Sequence, residues 1–249
     1  MVKVFSILFS FFLFCSTAII TYASQGDIPE KNGDYSDPDH KGIRVRVFVH
    51  EPKTVSPITT TCSDQDSSIV VDPAGWKLPS GTWTYNLNTS SVPFSVGSSN
   101  LPTIARNGFN QWQNAQGKVA FQIGPSTTKT KSAYDGQNII AWGRTSGNAL
   151  AVTYTRYLIS TKTVVDVDTI INQKFAWSWT PYVTGVCGKS NTYDAQAVLT
   201  HELGHWLGLN DEYSTSYVNH TMYGYGYKGD IKADTLTTGD KAGTIAIYQ

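Results

Sequence analysis

The sequence of 249 residues has few charged side chains and no excess of either sign. Only 15% of its residues are charged, and 19 Lys and Arg balance 19 Asp and Glu. Such a chain lacks the basic surface that binds nucleic acid or anionic membranes, and it has no acidic tail. We therefore expect no nucleic-acid partner. The 40% hydrophobic content and seven tryptophans suit a packed globular core.

Long apolar runs are absent after residue 20. Residues 4–20 form an apolar run that follows one lysine, and the small residues Thr21 and Ala23 come next. This pattern predicts a signal peptide over residues 1–23 and a secreted, extracellular protein with no stable membrane association after cleavage. The alternative is an uncleaved membrane anchor, because the run is just long enough to span a bilayer.

Cysteine is scarce, with three residues in the chain. Cys15 lies in the predicted signal peptide and would be removed with it. Cys62 and Cys187 remain, and an even pair in an oxidising compartment favours one disulfide bond.

The chain after the signal peptide divides by composition. Residues 24–73 are polar and rich in turn-forming residues around one alternating run, IRVRVFVH, at residues 43–50. We interpret 24–73 as a propeptide or N-terminal extension and 74–249 as the main domain. The alternative is that the run at 43–50 is an integral first strand of the main domain.

Within 74–249 the patterns predict strands and helices in a mixed order. Two runs, 149–158 and 163–172, are joined by a link of four residues, which predicts an antiparallel pair. The order of strand, helix, several strands and two helices indicates an α/β sandwich with a mixed sheet. The other predicted strands are 82–88, 118–124 and 137–143, and the predicted helices are 101–116, 194–209 and roughly the last 14 residues.

The segment VLTHELGHWLGLNDEY, residues 198–213, carries the chemistry. His201 and His205 are four residues apart on the predicted helix, so both imidazoles can reach one metal ion. Glu202 lies beside them and can take a proton from a metal-bound water. A catalytic zinc needs a third protein ligand and one open position.

We expect the third ligand just after the end of the helix that carries His201 and His205. Gly208 lets the helix end in a left-handed turn, and this turn brings Asp211 towards the metal. A carboxylate oxygen is an acceptable zinc ligand. His220 and Glu212 are the alternatives for this position.

Residues 201–211 match the metzincin pattern His-Glu-x-x-His-x-x-Gly-x-x-His/Asp. Met222, in HTMYGYG, stands where metzincins have the Met-turn beneath the metal. Tyr223 after that methionine, together with the segments TYNLN, FNQW and IAIYQ, resembles the matrixin branch. Asp211 as the third ligand resembles the snapalysin-like metzincins.

This resemblance implies an α/β (α+β) zincin fold. It implies a mixed, mostly parallel twisted sheet with an antiparallel edge strand, an active-site helix and a C-terminal helix. It also implies a secreted zinc metalloendopeptidase with one catalytic Zn²⁺, held by His201, His205 and Asp211, and Glu202 as general base. We expect a monomer whose protein or peptide substrate lies along an edge strand within 149–157.

Matrixins also carry a second, structural zinc that is bound largely by histidines. The chain has five histidines, and two of them, His40 and His50, lie in the predicted extension. We therefore expect no histidine-rich second zinc site.

Other residues have two interpretations each. Tyr223 and Tyr225 line the substrate cleft or are ordinary aromatic packing. Asp166 and Asp168 bind Ca²⁺ or, because they alternate with valines, lie on a solvent-facing strand edge.

Cys62 also has two interpretations. It pairs with Cys187, or it acts as a thiolate latch on the zinc, as in matrixin propeptides, although TTTCSDQD lacks the motif of that switch.

The rival function for the whole chain is a non-catalytic binding module, secreted or membrane-anchored, on a metzincin-like fold. The intact Glu202 argues against this rival.

Overall fold

The structure, a computed structural model, describes residues 28–54, 65–181 and 186–249. The predicted signal peptide and Cys62 lie outside these residues, so both remain predictions. Among the described residues, no helix is long and apolar enough to cross a membrane.

The strands and helices follow each other in a mixed order. The strands are β1 (Gly33–Ser36), β2 (Ile43–Lys53), β3 (Gly81–Leu87), β4 (Val119–Ile123), β5 (Ile139–Gly143), β6 (Ala151–Leu158), β7 (Val164–Asn172), β8 (Trp177–Ser178), β9 (Tyr193–Asp194) and β10 (Tyr225–Tyr227). The α-helices are α1 (Leu101–Gln116), α2 (Ala195–Leu207) and α3 (Thr238–Tyr248). Short 3₁₀ helices lie at Thr89–Ser91, Ser98–Asn100, Thr215–Tyr217 and Lys232–Asp234.

The main sheet has the strand order β1-β2-β6-β7-β5-β3-β4, and β10 pairs with β2. Strands β4, β3, β5 and β7 run parallel, whereas β6, β2 and β1 pair antiparallel with their neighbours. The predicted mixed α/β class is confirmed at this level. The antiparallel pairing of 149–158 with 163–172 is also confirmed, as β6 and β7.

The prediction that 149–157 forms an edge strand is wrong for this structure. Strand β2 lies along β6, with Ile43 opposite Leu158 and His50 opposite Ala151. Both faces of β2 are covered, because Val45 and Val47 pack into one apolar cluster while Phe48 packs into the main core. The proposed boundary between an extension and a catalytic domain at residues 73 and 74 remains a prediction, but residues 33–53 contribute two strands to the sheet.

The prediction that Asp166 and Asp168 face solvent is also wrong. Both side chains are buried on β7. Arg156 on β6 donates to Asp166 Oδ1 at 2.7 Å and to Asp168 Oδ2 at 3.1 Å. The alternation of these residues with valine did not imply exposure, because both faces of the sheet are covered here. Arg156 already forms an ion pair with both carboxylates, and the expectation of Ca²⁺ at this place is untested.

Helix α2 packs against strands β6 and β7 and against helix α1, and all of its residues are buried. Asp194 caps its start by accepting hydrogen bonds from the backbone N–H groups of Gln196 and Ala197. Gly208 ends it with a φ of 99°. These boundaries agree with the predicted helix at 194–209 and hold the histidines at fixed positions beneath the sheet.

Candidate metal centre

Helix α2 orients two imidazoles towards one point. Nδ1 of His201 lies 2.7 Å from the carbonyl oxygen of Thr221, and Nδ1 of His205 lies 2.9 Å from that of Leu209. A carbonyl oxygen only accepts, so each Nδ1 carries the proton. Both Nε2 atoms are buried without a hydrogen-bond partner among the described residues, which leaves their lone pairs available to a metal ion.

Asp211 completes this group. Its Oδ1 lies 3.1 Å from Nε2 of His201 and 3.4 Å from Nε2 of His205. The turn at Gly208 makes the approach possible, because a Cβ at this positive φ would meet the carbonyl oxygen of Trp76 at 2.4 Å. Burial alone would raise the pKa of Asp211, but the two histidines lower it on balance.

The three atoms fit a zinc ion. Zinc binds imidazole nitrogen and carboxylate oxygen at about 2.0–2.2 Å, so two ligands of a tetrahedral ion lie about 3.3 Å apart. The separations of 3.1 and 3.4 Å between Oδ1 of Asp211 and the two Nε2 atoms match this spacing. Oδ1 of Asp211 is also buried and has no hydrogen-bond partner. A cation at the centre of the three atoms satisfies all of them at once.

The alternative third ligands lie elsewhere. Nε2 of His220 is 2.8 Å from the carbonyl oxygen of Ile69, and its Nδ1 is 3.2 Å from that of Tyr217. Oε1 of Glu212 accepts a hydrogen bond from the backbone of Asp72. Both residues bind the backbone of neighbouring segments, and the structure brings neither into the group formed by the two histidines and Asp211.

Glu202 lies beside the metal centre, and one of its two carboxylate oxygens is fixed by a hydrogen bond. Its Oε2 accepts a hydrogen bond of 2.6 Å from Thr153 on β6. The Thr153 hydroxyl lies 2.7 Å from that of Thr169, which accepts from Nε1 of Trp206 at 2.9 Å. An indole N–H only donates and a carboxylate only accepts, so the chain of donors runs from Trp206 to Glu202. In the part of the chain that the structure describes, Oε1 of Glu202 has no hydrogen-bond partner.

Met222 lies beneath the histidines and is fully buried. A Cβ on Gly204 would come within 2.2 Å of its sulfur and 2.8 Å of the Trp112 ring. The backbone of Met222 is fixed by Asp240, whose Oδ1 accepts from its N–H at 3.2 Å. The methionine predicted to form the Met-turn therefore packs directly on the helix turn between His201 and His205.

Two residues at the site were missed in the sequence interpretation, because both lie in the predicted extension. Nδ1 of His50 is 3.4 Å from Oε1 of Glu202, and its ring lies 3.9 Å from that of His201. The Phe48 ring stacks on His205 at 3.8 Å with an angle of 4° between the rings. The alternation of IRVRVFVH indicated a strand, but a local pattern does not say which strand it will pair with.

Tyr223 and Tyr225, which follow Met222, pack against each other and also line a small cavity. The rings of Tyr223 and Tyr225 lie 5.4 Å apart, and Nζ of Lys53 lies 4.0 Å from the centre of the Tyr225 ring. Together with His50 and Val198 they line a cavity of about 30 Å³, which is large enough for one water molecule. Both interpretations of Tyr223 and Tyr225 are consistent with this placement.

Cys187 takes part in a disulfide bond. Because Cys62 and Cys15 lie outside the described residues, the pairing of Cys187 with Cys62 remains a prediction. The interpretation of Cys62 as a latch on the metal is likewise untested.

Comparisons with known proteins give no family for this chain. No protein-family model matches the sequence, and no curated protein matches it. The function is therefore inferred from the site itself.

Proposed function

We propose that the chain is a zinc-dependent endopeptidase with a metzincin-like centre. One observation carries the proposal. Three buried, unpartnered ligand atoms, on His201, His205 and Asp211, converge at zinc spacing beside a glutamate that has one free carboxylate oxygen. A catalytic centre of this kind needs three protein ligands, a place for water and a general base.

The chemistry follows from the positions of the groups. Bound zinc would lower the pKa of water and polarise the peptide carbonyl. Glu202 takes the proton of the attacking water through Oε1, while Thr153 holds Oε2 in place. Glu202 then gives this proton to the nitrogen of the departing amine. The hydrogen bonds from Nδ1 of His201 and His205 to backbone carbonyls fix both rings and increase their basicity as ligands.

The metzincin assignment has structural support beyond the ligand set. A methionine packs beneath the two histidines, a glycine turn delivers the third ligand, and a closing helix, α3, follows. The sheet is mixed, with β6 antiparallel to β7. We propose the matrixin-like branch on the sequence resemblance, with Asp211 in place of a third histidine.

We further propose that the protein is secreted, that it is a monomer and that its substrate is a protein or peptide. The apolar run at residues 4–20 supports export. An open groove along β6 would accept an extended peptide by main-chain hydrogen bonds.

A non-catalytic metal-binding module is the second candidate, and one observation favours it. His201, Glu202 and His205 are all fully buried, so no substrate reaches them in this arrangement. This rival predicts a bound metal without hydrolysis.

Digestion of a peptide library by the purified protein separates the two candidates. Zinc-loaded protein is compared with chelated protein and with chelated protein to which zinc is returned. We expect cleavage that is lost with the chelator and restored by zinc. Retention of one zinc per chain with no cleavage of any peptide, even after strand β2 has been released as described below, would support the binding module.

A further inference from the structure

The metal centre is closed by the chain itself. The side chains of His201, Glu202 and His205 are completely buried. Strand β2 supplies the cover, because Phe48 stacks on His205 and His50 lies against both His201 and Glu202. A hydrolase with these residues at its centre needs this strand to move before a substrate can reach the metal.

Strand β2 crosses the site as an extended peptide would. It runs antiparallel to β6 over Ile43 to His50, and then parallel to β10 from Glu51 to Lys53. The carbonyl oxygen of His50 accepts from Leu150 at 2.7 Å, and the N–H of Glu51 donates to Gly224 at 3.3 Å. Strand addition binds an extended peptide through main-chain hydrogen bonds to a sheet edge, and β2 pairs with β6 in this way.

The side chains of β2 strengthen this interpretation. Residues of a strand alternate between faces, so Phe48 and His50 point towards α2 while Val49 packs on the opposite face. Nδ1 of His50 lies 3.4 Å from Oε1 of Glu202, while Oε2 of the same carboxylate is held by Thr153. An imidazole ring at this distance from Oε1 of Glu202 occupies the place where the attacking water must approach.

The topology allows this segment to leave as a unit. β1 pairs with β2, and both strands lie at one end of the strand order. Their removal leaves β6-β7-β5-β3-β4 as a continuous sheet in contact with α2. Among the strand pairings of the described residues, only those of β2 with β6 and β10 would be lost besides the β1–β2 pair itself.

We propose that residues Ile43–Lys53 occupy the peptide-binding groove of the metal centre and keep the protein latent until they are displaced. The proposal builds on the endopeptidase function proposed above. The occupant is a named segment of this chain, and the blocking side chain is His50 on the base Glu202. This device differs from a cysteine latch on the metal, because it acts through the base and the groove.

A cut placed directly after Thr54 tests the proposal. A recognition sequence for a site-specific protease is inserted there in the full chain, so that after cleavage the N-terminal piece is held by non-covalent contacts alone. A fluorescently labelled peptide of residues 28–54 is then added, and its exchange into the cut protein is followed by anisotropy. This readout does not require hydrolysis.

We expect one labelled peptide to bind per chain of cut protein. We also expect peptide hydrolysis to rise when the cut protein is diluted, because the N-terminal piece then dissociates. If the groove is covered in about 99% of molecules, hydrolysis rises roughly 100-fold when the segment leaves, because the open fraction limits binding. Excess peptide should then suppress the activity again. Equal hydrolysis by intact and cut protein would overturn the proposal, as would unfolding of the chain when the segment dissociates.

The two proposals fail in different ways. Reversible exchange of the labelled peptide, with zinc retained and no hydrolysis in any form, supports the groove occupancy and overturns the endopeptidase. Hydrolysis of the same rate before and after cutting supports the endopeptidase and overturns the occupancy.

Two neighbouring substitutions, each studied in the uncut and in the cut protein, separate the blocking side chain from general weakening of the strand. His50→Ala removes the ring that lies on Glu202, whereas Val49→Ala shortens a side chain on the opposite face. We expect His50→Ala to raise hydrolysis and to speed peptide exchange in the cut protein well beyond Val49→Ala. Equal effects of the two variants would contradict a specific role for His50.

Discussion

Thr153 donates a hydrogen bond of 2.6 Å to Oε2 of Glu202, so that Oε1 is the carboxylate oxygen free to handle a proton. This bond is the last in the chain of donors that begins at Trp206. It connects the sheet to the proposed catalytic base, and it gives the base a fixed orientation. Each member of this arrangement can be tested separately.

Glu202→Gln should preserve the fold and the metal and remove most hydrolysis. The side chain contacts Thr153 and His50 and is not one of the three atoms at zinc spacing. Loss of a general base typically costs 10²–10⁴-fold in rate. Zinc content and peptide hydrolysis are measured together on the cut protein. A variant that keeps one zinc and hydrolyses at the wild-type rate would remove Glu202 from the mechanism.

Thr153→Val should lower kcat while leaving zinc content unchanged, because the carboxylate loses the donor that orients it. The broken buried hydrogen bond should also cost about 1–3 kcal/mol in the free energy of unfolding. Thr155→Val is the matched control, since Thr155 is buried on the same strand and its hydroxyl has no hydrogen-bond partner. Equal kcat values in the two variants would show that Thr153 does not position the base.

Gly204→Ala should destabilise the protein and disturb the metal centre. The added Cβ would meet the sulfur of Met222 at 2.2 Å and the ring of Trp112 at 2.8 Å. Overpacking of this kind costs about 1–3 kcal/mol. The double variant Gly204→Ala/Met222→Ala should regain part of the loss, because it removes the nearer clash. Thermal unfolding of the metal-free proteins measures both effects, and a double variant less stable than either single one argues against this packing.

Asp168→Asn should be more destabilising than Asp166→Asn. Asp168 accepts hydrogen bonds from Ser132, Ala133, Ile139 and Arg156, and removing one partner of a buried ion pair costs about 3–5 kcal/mol.

Asp166 accepts only from Arg156 among the hydrogen bonds of the described residues. Burial and the neighbouring Asp168 raise the pKa of Asp166 to about 8, so asparagine replaces a side chain whose neutral form is populated near pH 7. Urea unfolding of both variants checks the order, and an equal loss would contradict it.

The grouping of His201, His205 and Asp211 could be predicted from the sequence because its geometry is local. His201 and His205 share a helix face by spacing alone, and Gly208 requires a turn that brings Asp211 back. The closing helix and the β6–β7 pair were also predictable from periodicity and from the short link between the two strands.

The features that were missed depend on distant contacts. Nothing in the composition of residues 24–73 indicates that β2 pairs with β6, because strand pairing is decided by segments far apart in the chain. Asp166 and Asp168 follow an alternating pattern that usually means one exposed face, but Arg156 and the neighbouring loop cover them. An arginine within the otherwise apolar and hydroxyl-rich strand β6 was the available signal, since a buried guanidinium requires acidic partners.

The most direct test of the account is the zinc content of two matched variants. In Asp211→Ala the site retains only two histidines, and we expect the stoichiometric, tightly bound zinc of the wild type to be lost. In His220→Ala it should stay near one per chain, because His220 binds the backbone of Ile69 and Tyr217. Inductively coupled plasma mass spectrometry after gel filtration gives both values. Retention of one tightly bound zinc in Asp211→Ala, together with its loss in His220→Ala, would contradict the proposed metal centre.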